Sequence, residues 1–245
     1  MTDRTVLALT GADRVDFLQG LVTNDITRDG LIYAALLTPQ GKYLADFFVL
    51  DDGPRLLIDV ATEQAAGLGQ RLSMYRLRAD VVIETTDLVV SRGVGPAPEG
   101  ARPDPRDPAL GWRLYSDRDV SEDVDWDALR VSHLIPEAGR ELTPETYILE
   151  VGFERLNGVD FRKGCFVGQE IVARMKHKTT LRKGLVAVKI DGSAQPGDEI
   201  TSDGRAAGVL HTVSGFEGLA YLRFDRAEGA RTKDADLTVR ALPTV

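Results

Sequence analysis

The sequence predicts an α+β fold that closes with a separate all-β domain, and three observations carry that prediction. Residues 33–60, YAALLTPQGKYLADFFVLDDGPRLLIDV, hold three apolar runs parted by TPQGK and DDGP. Pro and Gly suit these to tight turns, so the stretch reads as a meander of antiparallel strands. Helical periodicity flanks it on both sides. After Lys183 the texture changes to short strands broken by glycine every few residues, as in a small barrel or sandwich. A domain boundary is therefore expected near residue 183, giving 1–183 and 184–245.

The elements follow in order. TVLALT, residues 5–10, is a first strand. Thr10 is expected to cap a helix, with Asp13 three residues on as a short capping box, and Val15, Leu18, Leu21 and Val22 form its apolar stripe. Beyond the meander, Thr62 opens a helix through Leu77, and ADVVIE (79–84) is a strand. Residues 95–111, GPAPEGARPDPRDPALG, read as a surface loop or linker. DVDWDALRVSHL (123–134) is a short helix with acidic residues at its start. TPETYILEVGF (143–153) reads as another, capped by Thr143 with Pro144 at its first position. VGQEIVARMKHK (167–178) is a helix starting near Gly168, with Ile171, Val172 and Met175 inward and Glu170 and Arg174 as an i,i+4 pair.

Composition narrows the function. A net charge of −8 and a pI of about 5.0 disfavour general binding of phosphate backbones, although RMKHKTTLRK (174–183) is a local basic run. No apolar run approaches the roughly 20 residues a membrane helix needs. The N-terminal residues lack a basic segment followed by an apolar one, so no secretory signal is read and a cytoplasmic location is expected. Cys165 is the one cysteine. It forms no internal disulfide, which suits a reducing compartment, and alone it does not hold an iron–sulfur cluster. His133, His177 and His211 show no metal-ligand spacing, so no resident metal is expected. No dinucleotide-binding or Walker-type phosphate loop is present.

That cysteine lies in FRKGCFVGQE, residues 161–170. Lys163 stands two residues before it and a helix N-terminus just after it. Both features favour a thiolate over a thiol. Gly164 and Gly168 let backbone approach another segment or a ligand. A lone cysteine is also commonly a small buried hydrophobe, and no Ser/His/Asp or Cys/His context marks catalysis.

KGCFVGQE (163–170) resembles, at every position, the Lys-Gly-Cys-aromatic-x-Gly-Gln-Glu signature of the YgfZ-type folate-binding proteins, relatives of the glycine-cleavage T-protein. FLQGLVTNDI (17–26), LLTPQGKYLADFFV (36–49), RLSMYRLRADVVI (71–83) and GLAYLR (218–223) extend the resemblance over most of the chain. It implies a three-lobed T-protein-like fold that takes tetrahydrofolate or a one-carbon derivative, with a C-terminal β-barrel. It also implies a role with the iron–sulfur assembly machinery or its client enzymes, as a monomer. Lys163, Gly164, Cys165, Gly168, Gln169 and Glu170 fall on the signature, with Cys165 and Lys163 as its chemically active pair. Asp46 falls where T-proteins carry an acidic residue near the folate amine, with Ala45 in place of the second aspartate of that pair. Glu150 falls near an acidic position that contacts the pterin. Two alternatives stand beside this reading: a tetrahydrofolate-dependent aminomethyl- or methyltransferase, and a thiol-dependent enzyme or redox sensor.

Overall fold

A computed structural model describes residues 4–241. By internal packing the chain divides into two compact units, residues 1–124 with 154–171, and residues 125–153 with 172–245.

The first unit is built on a five-stranded sheet. β1 (Arg4–Thr10) leads through a glycine turn to α1 (Arg14–Gln19), and β2 (Leu31–Leu37), β3 (Tyr43–Asp51) and β4 (Leu56–Ala61) form the expected meander. α2 (Thr62–Arg76) and β5 (Val82–Thr85) follow, and the sheet order is β2-β3-β4-β1-β5 with all pairs antiparallel. β6 (Val89–Gly93), β7 (Arg102–Pro103) and β8 (Trp112–Ser116) make a second, three-stranded sheet. Leu7 and Leu9 enter one core with α1 and α2, while Val6 and Ala8 enter another with Leu57 and Val90. β1 is thus covered on both faces, which is why it reads as a continuous apolar run.

The second unit carries α3 (Trp126–His133), most of α4 (Gln169–Lys178), and the barrel strands β9 (Lys183–Gly192), β10 (Glu199–Ser202), β11 (Arg205–Ser214), β12 (Glu217–Arg223) and β13 (Ala235–Ala241). Their order is β10-β11-β12-β9-β13, again antiparallel. Unlike the division expected at residue 183, this unit also takes residues 125–153. Buried Arg130 of α3 donates to Thr212 of β11 and pairs with buried Glu141, so α3 and the Glu141 turn are fastened onto β11.

Three local expectations are corrected. Asp13, not Thr10, precedes α1, and its carboxylate accepts from Asp80 N at 2.8 Å rather than capping the helix. Thr10 is held in the ladder of β1, and Gly11 makes the turn at φ +103°, where a Cβ would stand 2.1 Å from the Asp80 carbonyl. Residues 143–153 form a turn and a 3-10 segment, Ile148–Val151, rather than a longer helix. The Thr146 hydroxyl accepts from Thr143 N and donates to the Glu141 carbonyl, an alternative to helical bonding that threonine side chains offer.

The segment 95–111 is no free linker. Its Asp104 is buried and accepts from Arg106 (2.8 Å) and Arg113 (3.0 Å). Arg113 also donates to buried Asp59 of β4 at 2.9 Å, and Arg4 closes on the other Asp59 oxygen at 2.6 Å. Burial by itself would raise both carboxyl pKa values. The arginines outweigh it and hold Asp59 and Asp104 below the ordinary carboxylate range. The three guanidinium groups of Arg4, Arg106 and Arg113 lie within 5.5 Å of the Phe48 ring centre, Arg113 at 3.8 Å.

Candidate functional site

The segment that carries Cys165 is tied to the turn after α1. Thr23 donates to the Gly158 carbonyl at 2.7 Å, and the Thr23 carbonyl accepts from Asp160 N at 3.0 Å. Asn24 bridges the Tyr33 carbonyl (2.8 Å) and the Asn157 carbonyl (2.6 Å), and Asp160 pairs with Arg28. These contacts account for Thr23 and Asn24, whose short side chains reach the backbone of residues 157–158, while Asp25 accepts from its neighbour Thr27 N at 3.1 Å.

Lys163 continues the same seam. Its ammonium donates to the Gln19 carbonyl at 2.6 Å and to the Val22 carbonyl, and the residue is 8% exposed. Gln19 ends α1, where helix carbonyls lack intrahelical donors. Burial pulls the Lys163 pKa down from 10.5 to about 8, against the pull of Asp25 and Asp160. The bonds of Lys163 therefore run to α1 and its following turn, whereas the sequence paired it with Cys165. Phe166 is buried at 6% exposure, and the Lys163 ammonium lies 5.6 Å from its ring centre. Between these two anchors Gly164 and Cys165 are exposed.

Gly168 explains the end of the motif. It has φ +83°, and a Cβ there would meet the Thr38 carbonyl at 2.6 Å and the Gly41 Cα at 3.0 Å. Gly41, at φ +75°, would likewise drive a Cβ to 2.9 Å from Ile171. The TPQGK turn and the cysteine motif thus meet glycine to glycine, a closeness only glycine allows. Gln169 opens α4, its N–H bonded to the Phe166 carbonyl at 3.2 Å, and Glu170 is exposed in the first turn.

Asp46 stands apart on β3, at 4% exposure. Tyr33 donates to one carboxylate oxygen at 2.9 Å and Tyr43 to the other at 2.6 Å. Gln64 of α2 in turn donates to the Tyr43 oxygen at 3.0 Å. Residues 43 and 46 would face opposite ways on a regular strand. The ladder shifts register at Leu36/Leu37, so that Leu44 has no partner across from it, and such a bulge turns Tyr43 to the side of Asp46. Burial first, and the Asp46 charge second, raise both tyrosine pKa values, so both hydroxyls stay protonated and donate. Sequence reasoning named Asp46 but missed Tyr33, Tyr43 and Gln64, because the bulge that gathers them leaves no mark in residue spacing.

Glu150 lies in the second unit at 6% exposure and accepts from the Tyr221 hydroxyl. Burial and then Glu150 raise the Tyr221 pKa. Both carboxylates keep acceptor capacity after their tyrosine bonds, since each oxygen has two lone pairs. Among the described residues no group of three His, Cys, Asp or Glu side chains is placed to hold a metal ion, and no helix is long and apolar enough to cross a membrane.

Fold and motif together define a T-protein-type protein with a C-terminal β-barrel. Residues 182–244 match the family described as CAF17, C-terminal beta-barrel domain. The structure of glycine cleavage system aminomethyltransferase T from Bartonella henselae matches 100% of this chain and 84% of its own, with a TM-score of 0.76 at 14% identity, which speaks for the fold. The chain is 30% identical to the mitochondrial iron–sulfur cluster assembly factor IBA57 of Mus musculus, covering 92% of this chain and 77% of the mouse protein. The Neurospora crassa IBA57 homolog is 29% identical over 83% of this chain, which spans 56% of that longer protein. The chain belongs to the IBA57 family, the YgfZ-type relatives of the T-protein.

Proposed function

We propose that this protein is an accessory factor for the assembly or maintenance of iron–sulfur enzymes, and that Cys165 is its working thiol. One observation carries the reading: Cys165 is exposed while Lys163 and Phe166 on either side of it are buried. A thiol held out by fixed neighbours has already lost much of the loop entropy that binding would otherwise cost. The cluster is cargo in this scheme. One cysteine supplies one of the ligands a cluster takes, so the others come from a partner protein or a small thiol. The protein acts as a monomer whose partners are the assembly machinery or client enzymes. Its setting is reducing and cytoplasmic, whereas the relatives named above are mitochondrial proteins.

Reduced folate is the ligand that supports this work in our reading. Asp46, oriented by two tyrosine hydroxyls, would accept from a folate amine. Bound tetrahydrofolate supplies one-carbon chemistry. The exposed residues Gly164 and Glu170 and the half-buried Gln169 flank the thiol and shape what reaches it.

The test is complementation. In cells lacking this protein, the wild-type chain should restore iron–sulfur enzyme activities and Cys165→Ser should not, at equal protein levels. Full rescue by the serine variant would remove the thiol from the mechanism. Folate is tested separately, by a concentration-dependent rise in Tm with tetrahydrofolate; no rise at saturation would remove the ligand alone.

A further inference from the structure

The C-terminal barrel carries a groove lined by neither Cys165 nor Asp46, although its wall residue Tyr221 is the one that donates to Glu150. It measures about 340 Å³ and is floored by Ile200, Ala206, Ala207 and Val209. That is within the roughly 300–1,000 Å³ of ligand-sized clefts. Ala206 is exposed and Val209 is 36% exposed, so apolar surface stands open.

The charges around it are arranged unusually. Arg223 of β12 and Lys183 of β9 are direct cross-strand partners. Like charges placed opposite each other destabilise a sheet pair, and both residues line the groove. Asp225 takes one side of Arg223 at 2.9 Å, and the Lys183 ammonium lies 5.1 Å from the Tyr221 ring centre. Exposed Arg182 precedes Lys183, and Arg226 reaches the rim, donating to the Ala206 carbonyl. Against these four cations stand two carboxylates, Asp225 and Glu199. The local surface is cationic on a chain whose net charge is −8.

We infer that this groove docks an acidic segment of a partner protein, an extended peptide in which aliphatic and carboxylate side chains alternate. Aliphatic side chains cover Val209 and Ala206. Carboxylates reach Lys183, which among the described residues has the Tyr221 ring but no carboxylate of its own beside it, whereas Arg223 already holds Asp225. The open apolar surface of Ala206 and Val209, which a phosphate backbone would leave uncovered, favours such a peptide over a nucleic acid.

Fluorescence anisotropy on the full chain tests this with a labelled eight-residue peptide of alternating leucine and aspartate. The wild type should bind it saturably, at least tenfold more tightly than the same peptide with asparagine for aspartate or serine for leucine. It should also bind it more tightly than a labelled single-stranded oligothymidine. Val209→Asp and the double variant Lys183→Gln/Arg223→Gln should each weaken binding tenfold or more, with thermal melts confirming that they fold. Saturating tetrahydrofolate should leave the peptide bound. Equal affinity for the asparagine peptide, preference for the oligonucleotide, displacement by folate, or no saturable binding by the wild type would each overturn the proposal. The peptide comparisons on wild-type protein decide the matter even if a variant fails to fold.

Discussion

Removing the Lys163 ammonium should destabilise the protein, and by an amount that grows with pH. In Lys163→Met the Gln19 and Val22 carbonyls lose their shared donor. Hydrogen bonds from charged groups contribute about 1.5–3 kcal/mol each, offset here by the cost of burying the ammonium, so a loss of about 2–3 kcal/mol is expected at pH 7. The pH dependence follows from burial, which lowers the Lys163 pKa from 10.5 in the unfolded chain to about 8 in the fold. Between these values the unfolded lysine keeps its proton and the folded one has shed it. The unfolded state then binds more protons, so wild-type stability rises with pH across this window. Below pH 8 both states are charged and the contribution is constant. A gap of this size is worth about 3 kcal/mol at roughly 1.4 kcal/mol per pH unit. Discounting for solvent screening leaves about 1–2 kcal/mol. The neutral amine still has two N–H groups for the two carbonyls, so the anchor persists above pH 8. Urea denaturation of wild type and Lys163→Met at pH 7.5 and pH 10 measures the effect, and taking the difference cancels every other titrating group common to both. The stability gap should widen at the higher pH. A gap that is unchanged or narrower would refute the burial argument.

Further outcomes follow from the same structure. Cys165 should react with iodoacetamide in the native state within a few-fold of its rate in denaturant, and Cys165→Ser should change stability by less than about 1 kcal/mol, as at other exposed sites; a thiol that reacts only after unfolding would contradict the exposed placement. Arg113→Met leaves Asp59 and Asp104 buried without their shared cation and should cost about 3–5 kcal/mol by urea denaturation. Because those carboxyl pKa values are lowered, the stability they supply is present above about pH 4 and should fall away below it in the wild type. Gly168→Ala should lower stability by at least about 1–2 kcal/mol, the cost of a left-handed backbone for a residue with a Cβ, and a variant as stable as wild type would mean the two glycine turns do not touch. Asp46→Asn should weaken tetrahydrofolate binding by about 1–3 kcal/mol in calorimetry, whereas unchanged affinity would leave Asp46 a purely structural partner of its tyrosines.

The residue order alone determined the elements whose signals are local. The meander could be read because DDGP and the Gly41 turn punctuate apolar runs, and β9 to β13 because glycines recur between short strands. The motif around Cys165 was legible for the same reason, since its glycines, lysine and cysteine lie within eight residues. Tertiary structure decided what depends on residues far apart. Lys163 could have served the thiol two positions away, yet it bonds carbonyls more than 140 positions upstream, because an orphaned helix end there needs a donor. The segment 95–111 has the composition of a linker, yet Asp104 binds it to Arg113, itself paired with Asp59, a network that no spacing announces. The tyrosines on Asp46 were hidden by a one-residue bulge that reverses which side Tyr43 takes. The placement of residues 125–153 with the barrel rests on Arg130 and Glu141 sharing a buried site with Thr212. Short-range pattern sets which backbone forms. Burial and charge pairing between distant positions set which side chains are left exposed, and here they leave Cys165 at the surface.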